Sequence, residues 1–184
     1  MKLARTLIAT VAAGLLATSA FAMTSAEHKT AKDRISADYK MDKKSCDAMM
    51  ANAKDICVKE AKGHEDIAKA ELESQYKPSA KATQKVANVR ADAAYEVAKE
   101  KCDDLDGNAK DVCKKEAKAE HVKAKENAKV AKASATPADS TAEKNANVAE
   151  ARKDASAEKN EANYKAAKER CDTLSGDTKS KCED

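Results

Sequence analysis

Residues 95–113 read YEVAKEKCDDLDGNAKDVC, with Cys102 and Cys113 on either side of an Asp-Gly-Asn sequence. The same pattern occurs without gaps as YKMDKKSCDAMMANAKDIC at residues 39–57 and as YKAAKERCDTLSGDTKSKC at residues 164–182. All three segments follow Y-x3-K-x2-C-D-x-[LM]-x-[AG]-[ND]-x-K-x2-C. Agreement at so many positions identifies an internal repeat, which is the signature of an array of similar structural units.

Each unit is predicted to form a helical hairpin. Tyr95 and Cys102 are one heptad apart, and this spacing places them on the same face of a helix. Gly107 then occupies the position where a helix commonly ends in a left-handed residue, and Asn108 is a good N-cap for a second helix. The corresponding residues of the third unit are Gly176 and Asp177.

The two cysteines of each unit are expected to form a disulfide across the hairpin. Each lies about a turn and a half of helix from the bend, so in an antiparallel hairpin the two positions can face each other. Closing a loop of this length removes roughly 3 kcal/mol of denatured-state entropy. Six cysteines allow fifteen pairings. The repeat favours the three within-unit bridges, which are Cys46–Cys57, Cys102–Cys113 and Cys171–Cys182.

Large apolar side chains are scarce. After residue 22 the chain contains only 14 Leu, Ile and Val residues together, and no Phe or Trp. It is rich instead in Ala, Lys and Glu, which are among the best helix formers but contribute little apolar surface to a core. We therefore expect an all-α protein, an elongated array of three antiparallel hairpins with little hydrophobic core.

The N-terminus has the pattern of a signal peptide. Lys2 and Arg5 precede an uncharged apolar run at residues 7–17, and Ala20-Phe21-Ala22 supplies a small-x-small cleavage site. The apolar run is shorter than the ~20 residues of a membrane-spanning helix, which disfavours the alternative of a permanent N-terminal anchor. Residues 1–22 are therefore predicted to be removed on export to a bacterial periplasm, where disulfides persist.

The remaining chain divides at its two prolines. We predict a first hairpin at residues 23–77, a second at 78–132, a linker at 133–141 around Pro137, and a third hairpin at 142–184 with a truncated second arm. Within these units, helices are expected to run from Ser25 to Met49, Asn52 to Tyr76, Ser79 (as N-cap) to Leu105, and Asn108 to Lys132.

Metal-ligating residues are few. His64 and His121 follow the second cysteine of their units, and with Cys or with Met41, Met49 and Met50 they could form a copper or zinc site. However, C-x10-C is not a usual zinc spacing, and bridged cysteines cannot be thiolate ligands. We interpret these two residues and His28 as surface histidines, and no metal or other cofactor is predicted.

No catalytic constellation is recognisable in the sequence. The interface between two neighbouring helices is called a seam below. The tyrosines that begin the units are predicted to pack in the seam against the second arm of their hairpin. They are Tyr39, Tyr95 and Tyr164. An aspartate follows the first cysteine of every unit, but one acid without a neighbouring base is not a catalytic site. Phosphate-binding loops and nucleophile elbows are also not found. The sequence therefore favours a non-enzymatic protein.

Basic and acidic residues are balanced and interleaved, 33 against 32 after residue 22, which argues against a nucleic-acid partner.

Across residues 25–170 the composition resembles Ala/Lys/Glu-rich secreted helical proteins of Gram-negative bacteria, including the helical spacer of the envelope protein TolA. This resemblance implies a structural or interaction protein of the periplasm or cell envelope, without a membrane span after cleavage. A homo-oligomer is compatible with this hypothesis, and a periplasmic metal-binding or stress-response protein is the alternative.

Overall fold

The computed structural model describes residues 23–183, so the predicted signal peptide at residues 1–22 lies outside the described part. The described chain is helical, without strands, and a short 3-10 turn at Cys46–Ala48 follows the first helix. The predicted all-α class is confirmed. Its six α-helices are α1 Ser25–Ser45, α2 Ala51–Tyr76, α3 Ala80–Cys102, α4 Gly107–Ala135, α5 Thr141–Cys171 and α6 Gly176–Glu183.

The helices form an antiparallel meander. Each packs on the helices that precede and follow it in the chain, and within residues 23–183 non-consecutive α-helices do not approach each other. The array is therefore a single layer of helices. Its turns at residues 46–50, 103–106 and 172–175 lie at one end, which we call the disulfide end. The turns at residues 77–79 and 136–140 lie at the opposite end.

Proline and serine define the turns at that opposite end. The predicted N-cap Ser79 is confirmed, because its hydroxyl accepts a hydrogen bond from Ala82 N at 3.0 Å. The second break is shorter than the predicted linker 133–141, since α4 continues through Ala135 and α5 begins at Thr141. The physical reason is that Pro137 excludes helical conformation mainly from the residue before it. Residues 133–135 are small helix-compatible side chains that extend α4.

The core is thin, as the composition predicts. The buried apolar residues of the described chain are seven alanines, three cysteines and one leucine. Such small side chains contribute little buried area, but they allow neighbouring helices to approach closely. The α2–α3 seam illustrates this, since a Cβ atom added to Gly63 would lie 2.9 Å from the Cβ of Ala93. The full set is Ala61, Ala70, Ala91, Ala119, Ala128, Ala155, Ala166, Leu72, Cys46, Cys102 and Cys171.

Ion pairs line the edges of these seams. Arg170 contacts Glu116 at 2.7 Å between α5 and α4, and Lys59 contacts Glu96 at 3.1 Å between α2 and α3. These side chains are largely exposed, so each pair contributes at most about 1 kcal/mol. Their main effect is to favour one register of each antiparallel seam.

Candidate functional site: the disulfide end and the open faces

The three predicted disulfides are present. Cys46–Cys57, Cys102–Cys113 and Cys171–Cys182 each have a Cα–Cα distance of 5.6 Å, within the normal range for a disulfide. The described residues contain no free cysteine. The first cysteine of each pair is buried where the helix ends, so these residues act as structural bridges.

The turn between the cysteines differs in detail from the prediction. Gly107 has the predicted left-handed conformation, with φ of 52°, but it begins α4 and does not end α3. Asp106 is consequently the N-cap residue, and Asn108 lies inside the helix. Helix α3 ends at Cys102 and not at the predicted Leu105. After Cys102 the chain continues with i→i+3 hydrogen bonds such as Leu105 N to Cys102 O.

The same correction applies to the other two units. Gly176, with φ of 56°, begins α6, so Asp177 is also inside its helix. In the first unit α1 ends at Ser45, before the predicted Met49, and α2 begins at Ala51. Ala51 takes the left-handed position with φ of 49°, although it is not a glycine.

The repeated asparagine connects neighbouring hairpins. Asn52 Nδ2 donates to the backbone carbonyl of Glu100 at 2.8 Å, joining α2 to the C-terminal end of α3. Asn108 Nδ2 donates to the carbonyl of Asp172 at 3.3 Å, joining α4 to the end of α5. Carbonyls at helix C-termini lack the usual i→i+4 partner, so they can accept from another helix. The carbonyl of Glu100 also accepts from Asp103 N at 3.0 Å. In the first two units the [ND] position is therefore a link between hairpins, and sequence reasoning assigned it only as a cap.

An aspartate and a lysine form an ion pair across each turn. The aspartate follows the first cysteine and the lysine lies three residues before the second, so the motif retains both. Hydrogen bonds from Lys114 and Lys110 lower the pKa of Asp103 to about 2. The three pairs are Asp47–Lys54 at 2.9 Å, Asp103–Lys110 at 3.0 Å and Asp172–Lys179 at 2.6 Å. The repeated acid thus has a structural partner that the linear sequence did not reveal.

An exposed apolar side chain marks every turn of the disulfide end. Met49, Leu105 and Leu174 occupy the equivalent [LM] position and are 45%, 40% and 39% exposed. Because the three turns lie at the same end, each hairpin presents one such side chain there. In the first turn Met50 is also exposed, at 83%.

The seam of the second hairpin contains a stacked aromatic pair. The rings of Tyr95 and His121 are 4.6 Å apart between centroids, and His121 Nε2 lies 2.6 Å from Asp92 Oδ1. Burial alone would raise the pKa of Asp92, but hydrogen bonds with His121 and Lys125 outweigh it and lower that pKa. The His121 side chain is only 10% exposed. The interpretation of His121 as a surface histidine is therefore wrong.

A similar pair lies in the first hairpin. His28 stacks on Tyr76 with 4.4 Å between ring centroids, and its Nε2 atom lies 3.0 Å from Glu73 Oε1 without hydrogen-bond geometry. His28 is also mostly buried, which contradicts the surface interpretation, whereas His64 is exposed as predicted. In both hairpins an imidazole and a phenol fill space that alanine seams leave open.

The three repeated tyrosines have different environments. Tyr95 packs in its seam as predicted, and Tyr39 is half-buried with Lys62 Nζ 5.7 Å from its ring centroid. Tyr164 is 63% exposed, so the prediction of seam packing is wrong for it. The reason is that α6 contains only eight residues and does not reach along α5 to this tyrosine.

The residues considered for a metal site are not brought together. His64 lies on α2 and His121 on α4, two helices that do not contact each other. Among residues 23–183 there is no group of three or more His, Cys, Asp or Glu side chains that could hold a metal ion.

The single layer leaves both faces of the central helix α3 open. On one face, Ala94 and Ala98 form a ridge between a groove of about 370 Å³ towards α2 and one of about 580 Å³ towards α4. We call this the alanine face. On the opposite face, which we call the charged face, Lys85, Asp92 and Glu96 line a groove of about 490 Å³.

No helix within residues 23–183 combines the length and apolar character needed to cross a bilayer.

No family model, curated protein or solved structure matches the chain.

Proposed function

We propose that the chain is a non-enzymatic interaction protein of the bacterial periplasm or cell envelope, which holds a broad helical surface open to a partner. The observation that carries this proposal is the single-layer meander. The helices α2, α3 and α4 each use two flanks for seams and keep two faces free. A fold whose buried apolar set is mostly alanine gains little by covering itself, but it presents a large surface.

The alanine face supplies the apolar part of such a surface. Half-buried Ile67 and Val97 line one groove beside the ridge, and Tyr95 lines the other. Charged side chains of both signs surround these grooves, including Arg90 and Glu120. An apolar centre with a polar rim is the usual anatomy of a protein interface, and the rim charges would select the partner.

The compartment is inferred from redox chemistry and from the N-terminal pattern. Three structural disulfides are typical of proteins that fold in oxidising compartments. Residues 1–22 have the charged, apolar and small-residue order of a cleavable signal peptide. Together these features favour export to the periplasm.

In-cell photo-crosslinking tests the proposal. A photoreactive amino acid would replace Ala94 on the alanine face, Lys85 on the charged face, or Glu150 on α5 as a control; all three positions are exposed. We expect the protein in the osmotic-shock fraction with an N-terminus at Met23, and a discrete adduct from position 94 but none from position 150. Cytoplasmic retention with free thiols would contradict the compartment. The absence of adducts from both faces would contradict the interaction role.

No observation favours the alternative of a metal-binding protein. His28 and His121 are engaged with tyrosines in the seams, and all six cysteines are bridged. Calorimetric titration of the oxidised protein with Zn(II) or Cu(II) would test it directly. A defined site of micromolar affinity that disappears in the variant His64→Ala/His121→Ala would restore that alternative.

A further inference from the structure

Exposed methionines cluster at the first disulfide turn and at the end of α1 that precedes it. Met41, Met49 and Met50 lie within ten residues of sequence and are 63%, 45% and 83% exposed. Methionine in proteins is more often a flexible filler of apolar space, and exposed thioethers are sites of oxidation. Met49 and Met50 belong to this turn, and Met41 lies on α1 five residues before Cys46, so three exposed sulfur atoms are concentrated in one short segment.

The other two units provide an internal comparison. Their turns have the same disulfide geometry, with Cα–Cα distances of 5.6 Å, and the same Asp–Lys pair. None of the equivalent positions carries sulfur, so the turn itself does not require methionine. The equivalents are Val97 and Ala166 for Met41, Leu105 and Leu174 for Met49, and Asp106 and Ser175 for Met50.

We propose that the first disulfide turn and the end of α1 that precedes it form an oxidant-reactive site, at which hypohalous acids such as hypochlorous acid convert exposed methionines to sulfoxides without unfolding the array. Each event forms one S–O bond and breaks the O–Cl bond of the oxidant. The sulfur loses two electrons and the chlorine gains them, leaving as chloride, while the hydroxyl proton goes to solvent.

Exposure sets the order of reaction. Met50 is the most exposed and precedes α2 without packing in a seam, so it reacts first, followed by Met41. Met49 follows more slowly because it is more than half covered at the end of the 3-10 turn. The Cys46–Cys57 bridge closes this turn, and it is already oxidised, so it keeps the two helix ends together after the thioethers react.

Stepwise addition of hypochlorous acid to the oxidised full chain tests the proposal, with peptide mass spectrometry to locate each added oxygen. We expect Met50 and Met41 to be oxidised several-fold faster than Met49, with the helical circular dichroism unchanged. The variant Met41→Leu/Met50→Leu should consume correspondingly less oxidant before the helical signal changes.

The second unit supplies matched controls. Val97 is half-buried at the position equivalent to Met41, so the methionine introduced by V97M should react several-fold more slowly than Met41 in the same molecule. Leu105 is exposed to almost the same degree as Met49, so L105M should react at the rate of Met49. The proposal is wrong if Met41 reacts no faster than the methionine of V97M. It is equally wrong if sulfoxides appear only after helix is lost.

Discussion

The second hairpin, α3 with α4, and the third, α5 with α6, are closed by the same turn but have very different seams. The second arm has 29 residues in α4 and 8 in α6. In the second hairpin His121 stacks on Tyr95, whereas the equivalent Tyr164 is 63% exposed. The comparison shows that the repeated motif is sufficient for the turn. The seam additionally depends on the length of the second arm and on the side chains that it carries.

Loss of its disulfide should affect the second and third hairpins differently, and this is the largest difference that we expect between them. The variant Cys102→Ser/Cys113→Ser should lower the free energy of unfolding by about 3 kcal/mol, because its loop no longer restricts the denatured chain. The variant Cys171→Ser/Cys182→Ser should instead release α6 locally, since isolated helices shorter than about 12 residues are marginal in water. Urea denaturation and amide hydrogen exchange would measure these two outcomes.

The first hairpin is a control for that prediction. It has a long second arm, α2, so Cys46→Ser/Cys57→Ser should behave like the substitution in the second hairpin and not like that in the third. If all three double variants lost equal global stability, the third turn would be integrated into the array, and the difference between the hairpins would disappear.

The two tyrosines should respond unequally to truncation. Tyr95→Ala removes a half-buried ring from between α3 and α4 and should cost about 2 kcal/mol, below the range for a fully buried aromatic residue. Tyr164→Ala should change the stability by less than about 0.5 kcal/mol, as is usual for exposed positions. Denaturant titration of both variants measures the difference, with Tyr95→Phe as a control that retains the ring. Equal losses would mean that Tyr164 is covered in solution.

The left-handed turn position should show the next largest effect. Gly107→Ala places a Cβ atom at a φ of 52° and should destabilise the second hairpin by about 1 kcal/mol. Gly176→Ala should mainly weaken α6 and alter global stability less. Conversely, Ala51→Gly should stabilise the first hairpin by about 0.5 kcal/mol, because it relieves an existing left-handed alanine. A destabilising Ala51→Gly in thermal denaturation would refute this explanation.

The smallest effect should be the acid response of the turn ion pairs. Ion pairing with Lys114 and Lys110 lowers the pKa of Asp103 to about 2, and Lys179 lowers that of Asp172. A carboxyl whose pKa is depressed by folding stabilises the fold above its unfolded pKa, and this contribution is lost as pH falls through the folded pKa. The melting temperature should therefore fall between about pH 4 and pH 2, and less steeply in Asp103→Asn.

Carboxyl-carbon NMR of the folded protein would provide the direct measurement of that prediction. Asp103 should titrate near pH 2, below the usual range for aspartate. An ordinary titration midpoint would show that its lysine partners are mobile in solution and do not close the turn.

The turns were predictable because their determinants are local. Ten residues between cysteines, with a glycine between them in two of the three units, are sufficient to indicate a hairpin and its bridge. The Asp103–Lys110 pair was not predicted. Its two residues lie on opposite sides of the turn, and only the folded conformation of the turn brings their side chains together. The stacking of His121 on Tyr95 depends on the register of two long helices, which a sequence with few large apolar residues does not specify.

The local pairing of the cysteines has a kinetic consequence. Every bridge joins a cysteine to the next cysteine along the chain, and every helix packs on the next helix. A polypeptide delivered N-terminus first would meet each correct partner before any competing one, and loops of this length close in well under a microsecond. The earliest pairing is thus also the final one, so oxidation should reach the native bridges without reshuffling and with no need for an isomerase.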